Sequence, residues 1–171
     1  MLTIDSLNAL DRAAFTAALG HLFEHSPWVV DETWPRRPFC DAAHLHAELC
    51  ATMRFAASTR QLALIRAHPD LAGRLAQQNA LTAESTLEQA SAGLHRLTDT
   101  ELAEFQRLNT AYLARFGFPF IICARLNAKS AILAAMTARL SQTPEHEFTT
   151  ALGEIEKIAH LRLNDLLEKA L

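Results

Sequence analysis

Strand-type alternation is nearly missing from this chain, and that constrains its fold more than any single motif. Alanine and leucine fill the runs between breaks, and only five glycines and six prolines interrupt 171 residues. Alanine and leucine are strong helix formers, and β-branched and aromatic residues do not recur at the two-residue period of a strand, so the chain is expected to be all-α. No repeat, linker or low-complexity stretch divides it. A chain of 171 residues can bury a core without metals or disulfides. The expectation is therefore a single compact multi-helix bundle domain over residues 1–171.

Punctuation places the helices. A first one is expected from about Asn8 to Phe23, with Leu10, Phe15, Leu19 and Leu22 or Phe23 inward. Ser26-Pro27-Trp28 reads as an N-cap followed by proline at the first helical position. Trp34–Pro38 is a loop, and Asp41 caps a helix through Phe55. Ser58-Thr59-Arg60-Gln61 reads as a capping box for a helix ending at His68, and Asp70 caps another through about Gln78. Thr82 to Leu94 follows. Thr98-Asp99-Thr100-Glu101 is a second capping box, opening a helix with Leu102, Phe105, Leu108, Tyr112 and Phe116, and Gly117 stands where a left-handed C-cap belongs. Phe118–Leu126 does not look helical. Asn127 restarts a helix to about Leu140, and Thr143-Pro144-Glu145 opens the last one.

Composition removes several function classes. Net charge is −3 with no basic stripe, which gives no support to nucleic-acid binding. Cys40, Cys50 and Cys123 form no C-x-x-C pair, which argues for a reducing compartment and against a disulfide framework. No apolar run approaches the roughly 20 residues that span a bilayer. The first residues lack a signal-peptide pattern, and Lys169-Ala170-Leu171 is not a peroxisomal address. The expectation is a cytoplasmic protein with no membrane partner.

Chemistry concentrates at a few places. Proline's ring pushes the preceding residue out of the helical region, so His68, before Pro69, is expected at a helix end with its imidazole aimed by a turn. A fixed, partly exposed imidazole suits proton transfer. Locally, a histidine that merely decorates a helix end is the more ordinary reading. Ser85, Glu88 and Gln89 fall on one helix face and could line a pocket, the ordinary alternative being a solvated face. Paired with His68, Glu88 becomes an acid/base candidate. Arg162 borders the apolar stripe of the last helix, either snorkelling or anchoring an anion. Phe118–Ile122 offers backbone groups to an amide-rich ligand, or simply fills the core. His21 and His25 lack a third ligand and read as surface residues; no metal site is expected.

Several stretches together carry a family resemblance. They are Glu24-x-Ser26-Pro27-Trp28, Ile65-Arg66-Ala67-His68-Pro69-Asp70-Leu71-Ala72-Gly73, Ser85-x-x-Glu88-Gln89-x-x-x-Gly93-Leu94, Phe116 to Arg125, and Leu161-Arg162-Leu163. In this order and over nearly the whole chain, they resemble the OHCU decarboxylase family, where OHCU is 2-oxo-4-hydroxy-4-carboxy-5-ureidoimidazoline, an intermediate of urate breakdown. Val29–Pro38 and Gln77–Ala83 match least firmly. The resemblance implies an all-α homodimer without metal or organic cofactor that converts OHCU to (S)-allantoin and carbon dioxide. It implies His68 and Glu88 as catalytic residues, with Pro69, Ser85, Gln89, Phe120, Ile121, Ile122 and Arg162 binding substrate. Which of His68 and Glu88 delivers the proton stays open. The rival readings are a non-catalytic helical binding domain and a helical cyclic-amide hydrolase, and release of carbon dioxide separates both from a decarboxylase.

Overall fold

The computed structural model describes residues 2–73 and 81–168, and every regular element among them is helical. They form two compact units, one of residues up to Ala67 together with Glu156 onward, the other of His68–Ile155.

In the first unit, α1 (Ile4–Ala9) and α2 (Arg12–Leu19) replace the single helix expected from Asn8 to Phe23. Leu10 is extended, at φ −69° and ψ 144°, and Asp11 starts a new helix by accepting the Ala14 N–H. The break is held from far along the chain. The Leu10 carbonyl accepts from the Trp34 indole N–H and the Arg37 guanidinium, at 3.1 and 2.8 Å. A carbonyl claimed from outside cannot close a helical turn, and Leu10 is only half-buried as a result. Phe15 and Leu19 do point inward, and Phe15 stacks on Phe39.

α3 (Trp28–Thr33) has Pro27 at its cap position, so Ser26 lies one residue too early to cap it with its side chain. α4 (Ala42–Phe55) is capped by Asp41 as expected. The Thr33 and Thr52 hydroxyls join α3 to α4 at 2.7 Å. α5 (Ser58–Ala67) starts one residue after the carbonyl of Ala57, which accepts the Arg60 and Gln61 N–H groups. Ser58 is thus inside the helix, and Gln61 does not complete a capping box. Its buried amide donates instead to the Met53 and Arg54 carbonyls at the end of α4. Two orphan carbonyls outbid a cap.

The second unit holds α6 (Ala83–Ser91), α7 (Asp99–Phe116) and α8 (Lys129–Arg139). The last helix, α9 (Pro144–Glu168), contributes its residues to Ile155 here and the remainder to the first unit. Thr98 and Glu101 form the expected capping box, and Gly117 ends α7 at φ 73°. That left-handed value is inexpensive only for glycine. It reverses the chain into Phe118–Cys123, which runs outside any helix before a 3-10 turn at Ala124–Leu126. Tyr112 sits at the centre of an aromatic cluster with Phe116, Phe118 and Phe120, its ring centroid 4.6, 6.1 and 5.2 Å from theirs. Of the helix expected from Asp70 to Gln78, residues 74–78 lie outside the described residues.

Candidate active site

His68 follows the last residue of α5 and is 8% exposed, so it does not decorate a surface helix end. The turn after it is pinned at several points. Gly73 N–H reaches the Asp70 carbonyl at 3.3 Å, and Asn109 of α7 donates to the Leu71 carbonyl at 2.9 Å. Ala72 has φ 51°, a left-handed value that a non-glycine residue adopts only when its surroundings impose it. Burial pushes the half-buried Asp70 carboxyl above its ordinary range. A Cβ on Gly73 would meet the Asp70 Cβ at 2.5 Å, too close for the turn to keep its path. Gly73→Ala is therefore expected to displace the segment that begins at His68. Changed backbone amide chemical shifts of His68–Ala72 in the folded variant check this, and unchanged shifts would show that the turn absorbs the methyl group.

α6 is built inside out. Ser85 and Gln89 are buried, Glu88 is half-buried, and Leu87 is 66% exposed. An ordinary surface helix would show the opposite pattern, so the solvated-face reading does not hold for Ser85 and Gln89. What holds the polar face inward is Gln89. Its side-chain oxygen accepts the Ala72 N–H at 3.0 Å, and its nitrogen donates to the Asp70 carbonyl at 3.4 Å. The helix bearing Ser85 and Glu88 is thereby tied to the turn bearing His68 and Pro69.

Phe120, Ile121 and Ile122 are buried on the non-helical segment. The Ile121 carbonyl accepts from Arg139 Nη1 at 2.8 Å, and the Cys123 N–H donates to Glu154 Oε2 at 2.8 Å. Arg139 also lies over the Phe120 ring, 4.3 Å from its centroid. It is fixed there by Glu147, whose Oε1 takes the Arg139 Nε at 2.8 Å, the Arg139 Nη2 and the Tyr112 hydroxyl. Burial, then the Glu154 and Glu88 carboxylates, push the Cys123 thiol up. α6, which carries Glu88, packs on the 3-10 turn that follows this segment.

In the first unit, Arg162 is 5% exposed and does not snorkel. Its Nη1 donates to the His21 carbonyl and its Nη2 to Glu24 Oε2, both at 3.1 Å. Among the described residues no group of three or more His, Cys, Asp or Glu is placed to hold a metal ion.

A profile of the family described as OHCU decarboxylase matches residues 8–164. The chain belongs to the OHCU decarboxylase family. It is 42% identical to the 2-oxo-4-hydroxy-4-carboxy-5-ureidoimidazoline decarboxylase of Halalkalicoccus jeotgali over 96% of this chain and 92% of that one. To the mouse (Mus musculus) protein of the same name it is 41% identical, over 94% of this chain and 90% of that one. A crystal structure titled as (S)-allantoin synthase superposes with a TM-score of 0.77 at 31% identity. That match covers 98% of this chain and 54% of the other.

Within this OHCU decarboxylase family member, the second unit gathers His68, Pro69, Ser85, Glu88, Gln89 and Phe120–Ile122, and the first carries Arg162. Sequence reasoning missed two groups. Glu24 is 3% exposed and faces Arg162, and its signal was an acid just before Ser26-Pro27-Trp28. Arg139 and Glu147 belong to no recognisable motif, because they meet only when α8 and α9 pack.

Proposed function

We propose that the chain decarboxylates OHCU to (S)-allantoin and carbon dioxide in urate breakdown, with His68 and Glu88 as the catalytic pair. The observation that carries this reading is the inverted face of α6, buried by Ser85 and Gln89 and clamped by Gln89 to the His68 turn. In the reaction the bond from the ring carbon to the carboxylate breaks, and its electron pair passes into the adjoining carbonyl- and imine-type system. The substrate supplies its own electron sink, so the protein need only orient the carboxylate, manage the hydroxyl proton and return a proton to one face of the carbon. His68 contacts the hydroxyl and carboxylate, and Glu88 relays the proton. Pro69, Ser85, Gln89 and the backbone of Phe120–Ile122 hold the ureido and ring amides. Arg162 anchors substrate oxygens through its planar fork.

Several finer points belong to the same reading. The family match runs through both compact units, which supports one functional domain over the chain. Exposed Leu87 and Leu126, on elements packed together, offer apolar surface of the kind two copies bury in a homodimer. Three thiols without a disulfide fit a cytoplasmic setting. The deciding experiment supplies freshly made OHCU and follows carbon dioxide release and the enantiomeric excess of allantoin, with and without the protein. Release at the spontaneous rate with racemic product would sink the reading. Because the electron sink lies in the substrate, activity is expected to survive dialysis against a strong chelator. Loss on chelation, restored by one metal, would overturn cofactor independence.

A further inference from the structure

Glu147 is fully buried, yet its two carboxylate oxygens are used unequally. Oε1 accepts from Tyr112 and from two Arg139 nitrogens, while Oε2 has no hydrogen-bond partner among the described residues. A buried ion pair is often no better for stability than well-packed apolar residues of similar volume. What the pair does achieve is geometric. It leaves Arg139 Nη1 directed at the Ile121 carbonyl and the guanidinium flat on the Phe120 ring.

In an extended chain, one residue's N–H and C=O point to one edge and the next residue's to the other. Cys123 is extended, at φ −69° and ψ 93°. Arg139 holds the Ile121 carbonyl, and Glu154 holds the Cys123 N–H two residues on. The two clamps take backbone groups of Ile121 and Cys123, and no hydrogen bond among the described residues uses the peptide groups of Phe120 or Ile122. We infer that Arg139, set by Glu147, is a positioning residue that presents the Phe120 and Ile122 peptide groups to the amides of the bound ligand. The inference rests on the proposed role of Phe120–Ile122 in substrate binding. Arg139 itself touches no substrate; it acts through the backbone it holds.

The test uses (S)-allantoin as probe on the full chain, with backbone amide chemical shifts and a titrated Kd, beside KM and kcat for OHCU. In the parent protein, the Phe120 and Ile122 amide signals are expected to move on binding. In Arg139→Lys, one ammonium cannot serve Glu147 and Ile121 together. Kd for allantoin and KM for OHCU should rise about tenfold while kcat changes less, as for an interaction made in both ground and transition states. Glu147→Gln keeps the volume and an acceptor oxygen, and should shift Kd in the same direction by roughly threefold; it decides the matter if Arg139→Lys does not fold. No movement at Phe120 and Ile122 in the parent overturns the binding role and this inference with it. Movement there, with Kd and KM of the folded variant unchanged, overturns the inference alone, whatever the melting temperature does.

Discussion

Replacing His68 by Asn, or Glu88 by Gln, is expected to lower the catalysed rate of OHCU decarboxylation by ~10²–10⁴-fold, the usual contribution of a positioned acid or base. Both substitutions keep shape and some hydrogen bonding and remove proton transfer. His68 is buried at the pinned turn and Glu88 is half-buried on α6, and neither is an apolar core contact, so both variants should fold. Acting as one relay, the two should not be additive: the double variant should lose little more than the worse single one. Because spontaneous decay has no enantiomeric preference, the assay follows the excess of (S)-allantoin as well as the rate. Near-normal rate and full stereoselectivity in both single variants would assign the chemistry to other residues.

The second large effect is expected at Arg162. Its guanidinium reaches the His21 carbonyl and Glu24 with two different nitrogens, and both Arg162 and Glu24 are almost wholly buried. Arg162→Lys cannot reproduce that fork, and a hydrogen bond to a charged group contributes about 1.5–3 kcal/mol. KM for OHCU should rise about tenfold or more if the arginine also anchors substrate oxygens. Glu24→Gln serves as the control, since it removes the counter-charge and leaves the guanidinium in place. Breaking a buried pair in this way costs roughly 3–5 kcal/mol of stability, read as a fall in melting temperature. A lysine variant with a lowered melting temperature but an unchanged KM would make Arg162 purely structural.

Helix boundaries were legible wherever the signal was local. Asp41, the Thr98–Glu101 box and Gly117 each act on backbone groups within a turn, and all three behave as read. Boundaries set from a distance were not. Nothing near Leu10 announces that Trp34 and Arg37 will claim its carbonyl. Ser58–Gln61 spells a capping box, but the carbonyls of Met53 and Arg54 take the glutamine. In the candidate site, the residue types of α6 were readable and their burial was not, because periodicity assigns polar side chains to water. Arg139 and Glu147 lie eight positions apart across a helix break, a spacing that carries no pattern.

The inverted α6 separates two properties that usually trade against each other. Its buried side chains are a serine and a glutamine, so hydrophobic burial contributes little to its place in the fold. Directional bonds to the Asp70–Ala72 backbone hold it instead. The free energy that keeps the chain folded comes from other surfaces, such as the Phe15–Phe39 contact and the Tyr112 cluster. Selection can thus adjust robustness in those regions without retuning the polar helix, and adjust the helix without spending the core.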